Sequence, residues 1–193
     1  MKALVFCDVV DPWSYLGATR FERAAATFTI LTGEPVEIAY RAARTPATTD
    51  PADAVAAARI SGIDLNLAER VEADPTDAWR LLTWAAESGD TTQRDLLHQL
   101  WRAHFLEGTD VGDHLALASR AALVGLDLDT AEALLASTEM HQQVRRQVET
   151  ADELGVVDLP FIVIDGDRTV SGLLSQDDYV QVLGGLRRDL DEQ

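Results

Sequence analysis

The spacing of apolar residues changes character twice along this chain, and those changes constrain the fold more than any single motif does. At the start, Ala3-Leu4-Val5-Phe6-Cys7 is a strand-like run, expected over about residues 3–9. A helix follows from Pro12 to about Leu31, with Trp13, Leu16, Phe21, Ala24, Phe28 and Leu31 on one side of a 3.6-residue period. Gly33-Glu34-Pro35 ends it, and Val36 to Tyr40 alternates as a second strand. From about residue 50 to 154 the pattern is helical throughout. Asp50-Pro51 and Asp74-Pro75 each open a helix, and Leu96 to Phe105 supplies a wide apolar face. Shorter helices are expected at Asp113–Val124 and Asp129–Ser137, where Asp129 and Glu132 make a capping-box pattern. Met140, Val144, Val148, Ala151 and Leu154 step along a last helix of this block. The period then returns to sheet: Phe161 to Ile164, the turn pair Asp165-Gly166, and Arg168 to Ser171. Ser175 caps a terminal helix. The order is β-α-β, a helical block, then β-β-α. It describes an α/β protein whose sheet mixes parallel and antiparallel strands.

Charge narrows the partners. The 193 residues carry 16 Lys and Arg against 33 Asp and Glu, a formal net charge of -17. A chain this acidic is a poor partner for nucleic acid or for an anionic membrane. No apolar run approaches the roughly 18–20 residues of a membrane helix. The start, Met1-Lys2-Ala3-Leu4, goes straight into a strand without the pattern of a signal peptide, so a cytoplasmic location is expected. Cys7 is the one cysteine, which excludes an intramolecular disulfide.

Asp11-Pro12-Trp13-Ser14 is the segment that bears on chemistry. It lies where the first strand gives way to the first helix. With cysteine at both ends it would read Cys-Pro-Trp-Cys, a dithiol at a helix start, where the helix N-terminus lowers a thiol pKa. Asp11 and Ser14 stand in those two places.

Asp8 to Gly17, followed by Phe21-Glu22, resembles the active-site segment of DsbA-like proteins of the FrnE type. Leu100 to Gly108 is similar to their mid-insertion helix, Leu154 to Val163 to their cis-proline loop, and Val170-Ser171-Gly172 to the strand after it. The resemblance implies a thioredoxin fold with an inserted helical subdomain: residues 1–45 and 155–193 form the thioredoxin-like part and 46–154 the insertion. It also implies a thiol–disulfide exchange site, whose two cysteines fall on Asp11 and Ser14 and are therefore missing. The cis-proline maps to Pro160, and Leu159 before it offers backbone hydrogen bonds to a bound peptide or thiol. A more distant resemblance is to kappa-class glutathione transferases and 2-hydroxychromene-2-carboxylate isomerases. Pro12-Trp13-Ser14-Tyr15-Leu16 is similar to their motif, although their sulfur-binding serine falls on Asp11.

The candidate catalytic residues are thus Asp11 and Ser14, and the candidate ligand-binding residues are Asp11, Pro12, Trp13, Ser14, Leu159 and Pro160. Asp11 reads first as an N-cap, a role that predicts a low carboxyl pKa at the positive helix end. Cys7, in a strand expected to be central, reads as a small hydrophobe. Trp79, Trp84 and Trp101 read as packing for the helical block. His98, His104, His114 and His141 lack the spacing of a metal site. The expected ligand is a small thiol of the glutathione or mycothiol type, a peptide or another apolar molecule. A kappa-type isomerase or transferase and a protein-binding module are the alternatives, and a homodimer is compatible with the sequence.

Overall fold

A computed structural model describes residues 1–44, 51–68 and 70–191. The elements run β1 (Lys2–Cys7), α1 (Pro12–Thr32), β2 (Glu37–Ala42), α2 (Pro51–Ile60), α3 (Thr76–Ala85) and a 3-10 turn (Ala86–Ser88). They continue with α4 (Asp90–Leu106), α5 (His114–Leu123), α6 (Leu128–Ala136), α7 (His141–Glu153), β3 (Phe161–Ile164), β4 (Arg168–Ser171) and α8 (Gln176–Asp191). The sheet order is β2-β1-β3-β4. β1 pairs in parallel with β2 and antiparallel with β3, and β3 and β4 form the hairpin around Asp165-Gly166. This is the mixed thioredoxin-type sheet with helices inserted between β2 and β3. Among the described residues no helix is long and apolar enough to cross a membrane.

Alternation along the strands decides the packing. Ala3, Val5, Cys7, Ile162 and Ile164 face a core that also holds Phe21 and Phe28 of α1 and Tyr179 of α8. Phe21 meets Tyr179 edge to face at 5.4 Å. The same cluster runs on through Trp79, Leu81, Leu96, Leu100 and Trp101, so sheet and inserted helices share one core. On the other sheet face Phe6, Phe161, Leu159, Ala43 and Ala151 form a separate cluster. α1 ends at Gly33, whose φ of 77° is left-handed and whose amide donates to the Thr29 carbonyl.

β2 is an edge strand, and two glutamines close its free edge. Gln93 on α4 accepts the Tyr40 amide at 3.0 Å and donates back to the Tyr40 carbonyl at 3.1 Å. Gln147 on α7 accepts the Ala42 amide at 2.9 Å. Exposed strand edges invite pairing with other chains, and these side chains occupy this one.

Three local expectations are corrected. β1 stops at Cys7 rather than Val9, because the Asp8 amide is drawn out of the ladder to Ser14 Oγ. α6 is capped by Asp127, which accepts the Thr130 amide at 2.8 Å, so Asp129 lies in the first turn and the Asp129–Glu132 box does not form. At Asp74-Pro75 the proline itself takes the cap position, while Asp74 accepts the Thr76 amide from one residue further out. The expected cap at Asp50 and the boundary placed at 45/46 fall outside the described residues.

Candidate functional site

The site begins where β1 hands the chain to α1. Asp11 is the N-cap of α1: it accepts the Trp13 amide at 3.3 Å and the Ser14 amide at 2.7 Å, with Pro12 buried in the first turn. The Ser14 hydroxyl donates to Asp11 Oδ2 at 2.7 Å, and its oxygen accepts the Asp8 amide at 3.0 Å. Ser14 is fully buried. Its hydroxyl is thus spent in both directions, which makes it a positioning group for Asp8 and Asp11. A closed set of hydrogen bonds fills the place that a dithiol would take. Asp11→Ala should therefore destabilise the protein by about 0.5–2 kcal/mol, with Asp11→Asn and Asp11→Ser restoring most of the loss. Chemical denaturation of the three variants checks this, and an alanine variant as stable as the parent would refute the capping role.

The electrostatics depart from the sequence reading. The Asp11 carboxyl is not held low: burial pushes its pKa up, against the opposing pull of the Ser14 hydroxyl, the Ser14 and Trp13 amides and Arg70. Desolvation of the charged form outweighs the cap bonds and the helix end. Asp8 is a site residue that sequence reasoning missed. It is only 8% exposed. Burial raises its pKa to about 7, opposed by the Val10 and Val9 amides and by Arg44, and assisted by the negative charge of Asp11. The available signal was an acid at the carboxyl end of a strand just before a helix, the end at which α/β sheets bind ligands. Cys7 is fully buried in the central strand β1, and burial raises its thiol pKa well above the ordinary value, with Asp8, Asp11 and Glu22 adding to the rise. It is not an activated thiol.

The Leu159–Pro160 peptide bond is cis. The Pro160 carbonyl accepts the Gly172 amide at 3.0 Å, and the proline ring lies against Gly17 of α1, one turn beyond Ser14. A Cβ on Gly17 would sit 2.5 Å from Pro160 Cγ. Gly17→Ala must push the proline loop off α1, and overpacking of this kind costs about 1–3 kcal/mol. Equilibrium unfolding reads that cost, and a variant within about 0.5 kcal/mol of the parent would contradict the contact. Leu159 turns its side chain into the opposite-face cluster with Phe6 and Phe161. Among the described residues nothing takes up its amide or carbonyl. The structure thus brings Pro160 to the α1 segment that carries Asp11 and Ser14, at Gly17.

Trp13 is half-buried and packs on Leu16 of α1, Ala58 of α2 and Ile63 beyond it. Tyr15 stacks on Phe105 at 5.6 Å and meets Trp101 at 5.2 Å, so the inserted helix α4 flanks the start of α1. Trp79 and Trp101 are buried in the shared core, and Trp84 packs against it. Of the histidines, His98 contacts Glu22 at 2.8 Å, His114 contacts Asp77 at 2.6 Å, and His141 lies by the Thr138 carbonyl. His104 is buried with neither ring nitrogen in hydrogen-bonding geometry. Burial lowers its pKa to about 4, and Arg70 adds to the fall.

A family model described as DSBA-like thioredoxin domain matches residues 3–184. The chain belongs to this family. Its fold is similar to that of a "probable DsbA oxidoreductase" from Streptomyces coelicolor, with a TM-score of 0.81 and 27% identity over 95% of this chain and 88% of that one. A 2-hydroxychromene-2-carboxylate isomerase matches with a TM-score of 0.76 and 16% identity, over 100% of this chain and 97% of that one. The cytosolic disulfide reductase DsbM from Pseudomonas aeruginosa, in its structure with GSH, matches with a TM-score of 0.71 and 18% identity, over 97% of this chain and all of that one. The last two likenesses carry the fold alone. No curated protein matches the sequence. This DsbA-family protein has a single cysteine, buried away from the family's redox position.

Proposed function

We propose that this DsbA-family protein binds a ligand without exchanging disulfides, in the groove bounded by Asp11–Ser14 and the Leu159–Pro160 loop. The ligand class is a small thiol of the glutathione or mycothiol type, a peptide or another apolar molecule, in the cytoplasm. One observation carries the reading. The bonded Asp8–Ser14–Asp11 set stands where a dithiol would, while the proline loop is still docked on α1 with the Leu159 backbone unengaged among the described residues. A scaffold without its redox groups retains the surface on which this family presents substrates.

A kappa-type isomerase or transferase is the second reading, favoured by the full-length likeness to the isomerase. Asp11 weighs against it, because a carboxylate would repel the cofactor thiolate. A protein-binding module is the third, favoured by the exposed Leu154 and Val157 shortly before the proline loop.

Insulin reduction with dithiothreitol as the electron source should show no catalysis above the thiol alone. Turnover that survives Cys7→Ser would overturn the reading. Thermal shifts with glutathione and with a cysteine-free extended peptide separate the ligand classes, since binding to the native state raises Tm. A shift with neither compound counts against the groove.

A further inference from the structure

α1 and α8 pack on one face of the sheet, and on the other face Ala151 of α7 joins Phe6 and Phe161. At the opposite end of that second face lies a half-open cleft of about 540 Å³, within the size range of small-molecule sites. Its floor is apolar. Ala39 of β2, Leu4 of β1 and Val163 of β3 stand side by side in register there. Charged groups line both ends. At one end are the half-buried Arg41 of β2 and Asp90, the first residue of α4. Arg41 Nη1 donates to the Tyr40 carbonyl at 2.7 Å, which fixes the guanidinium. Its other N–H groups make no hydrogen bond among the described residues. Asp90 attracts Arg41, yet the two do not approach within the 4.0 Å of an ion pair. Burial opposes the guanidinium's charge and lowers its pKa. A partly desolvated cation with unused donors, set apart from its nearest acid in a cleft, lacks an anionic partner. At the other end Lys2 pairs with Glu37 at 3.8 Å, and Asp165 gives one carboxylate oxygen to the Lys2 amide at 2.7 Å.

We propose that this cleft is a second binding site, separate from the groove at Asp11 and Pro160, and that it takes a basic α-amino acid of the lysine class. The ligand carboxylate lies on Arg41 and its α-ammonium between Arg41 and Asp90. The aliphatic stem lies on Leu4, Ala39 and Val163, and the terminal ammonium meets Asp165 and Glu37. Charge selects this class over its neighbours. Two cations, Lys2 and Arg41, line the cleft against three carboxylates, Glu37, Asp90 and Asp165, a balance of one negative charge. A basic amino acid carries one net positive charge and supplies the one anion that Arg41 lacks. A simple carboxylate would satisfy Arg41 but would enter against the field of a chain with a net charge of -17. A diamine would satisfy the acids and leave Arg41 as it is. Length agrees as well. Arg41 pairs with Phe6, and the Asp165 amide with the Lys2 carbonyl, so the two ends lie four residues apart along β1, about 13 Å at the backbone. The Arg41 and Asp165 side chains take up part of that span, and an extended lysine bridges the rest.

Calorimetric titration of the full chain with L-lysine at pH 7 and low salt tests the proposal. The parent should bind one lysine. L-Norleucine has a similar stem without the terminal ammonium, lysinamide lacks the carboxylate, and Nα-acetyl-lysine lacks the α-ammonium. Each should bind at least about tenfold more weakly, since each loses one charged contact. Two variants locate the site. Arg41→Gln should weaken lysine about tenfold. Asp165→Asn should bring lysine down to the affinity of norleucine and leave norleucine unchanged. Asparagine tolerates the left-handed backbone at Asp165, where φ is 49°, and still accepts the Lys2 amide, so this variant keeps the parent's fold. Melting temperatures of both variants, measured alongside, separate lost binding from lost structure. Absence of lysine binding by the parent overturns the proposal. Norleucine that binds as well as lysine overturns the role of the acidic end, and lysinamide that does so overturns the role of Arg41. Lysine binding that both variants leave untouched is attraction to the acidic chain as a whole and overturns the site.

Discussion

Arg80→Ala is expected to destabilise the protein by about 2–4 kcal/mol, because it removes a buried side chain that donates to several backbone carbonyls. Arg80 is 1% exposed. From α3 its guanidinium donates to the carbonyls of Leu134 and Leu135 at the end of α6, and to those of Ser137 and Glu139 in the turn that follows. It also pairs with Asp77 at 2.7 Å. The last carbonyls of a helix have no partner of their own, and a cation there complements the helix dipole. One side chain thus closes α6 and holds α3 against the turn into α7. Alanine would take the guanidinium from the Leu135, Ser137 and Glu139 carbonyls, leave the Leu134 carbonyl to the Ser137 amide and hydroxyl, and leave Asp77 with His114. Arg80→Lys should recover part of the loss, because a single ammonium has fewer donors and no planar fork. Urea unfolding of the two variants decides the matter. An alanine variant within about 1 kcal/mol of the parent would show that water satisfies these carbonyls, and the tie would then be incidental.

Nothing in the sequence marked Arg80. It lies between Trp79 and Leu81 in a helix whose apolar stripe is clear, and a periodicity argument assigns a charge in such a place to solvent. The elements that were legible are those fixed by local chemistry. Short apolar runs marked β1 and β3, alternation marked β2, and the Asp165-Gly166 pair marked the hairpin between β3 and β4. Asp11 and Ser175 were legible as caps because each is a short polar side chain at the start of an apolar period. Where two such residues lie close together, the sequence cannot choose. Asp127 and Asp129 are equally good caps, and the choice of Asp127 depends on where the preceding turn leaves the backbone.

The candidate site divides in the same way. Asp11 and Ser14 were readable from the motif at the helix start, and Pro160 from the resemblance of its loop to that of DsbA-like proteins. Asp8 was not, because what distinguishes it is burial by neighbours far away in the chain, and burial cannot be read from a window of residues. The same cause reversed the expectation for Asp11. Its cap bonds are local and were foreseen, whereas the desolvation that outweighs them is tertiary. His104 repeats the lesson. Its place on the apolar face of α4 was visible, but the burial that lowers its pKa came only with tertiary packing.

Asp8→Asn should change the pH dependence of stability more than any other single replacement in the site. The sign follows from the raised pKa. The folded protein holds the Asp8 proton up to about pH 7, whereas the unfolded chain releases it near 3.8. Between those values the native state binds more protons, so this group stabilises the fold at low pH and its contribution is lost as pH rises through 7. From pH 5 to pH 8 the loss is about 2–3 kcal/mol, and Asn, which does not titrate, is spared it. His104 works in the opposite direction. With its folded pKa lowered to about 4 from 6.5, it destabilises the fold as pH falls below 6.5. The two buried groups offset each other in the parent, whose stability should vary little from pH 5 to 8 on their account. Asp8→Asn removes one side of that balance. Its stability relative to the parent should rise by about 2–3 kcal/mol between pH 5 and pH 8, with a more acid-labile profile. Guanidinium unfolding at the two pH values gives both differences. A difference that stays the same at both pH values would mean that Asp8 ionises freely and that no proton is held there. A gain at pH 8 would mean that the parent carries a destabilising acid in its site, a pattern expected where a residue is kept for what it does and not for what it contributes to folding.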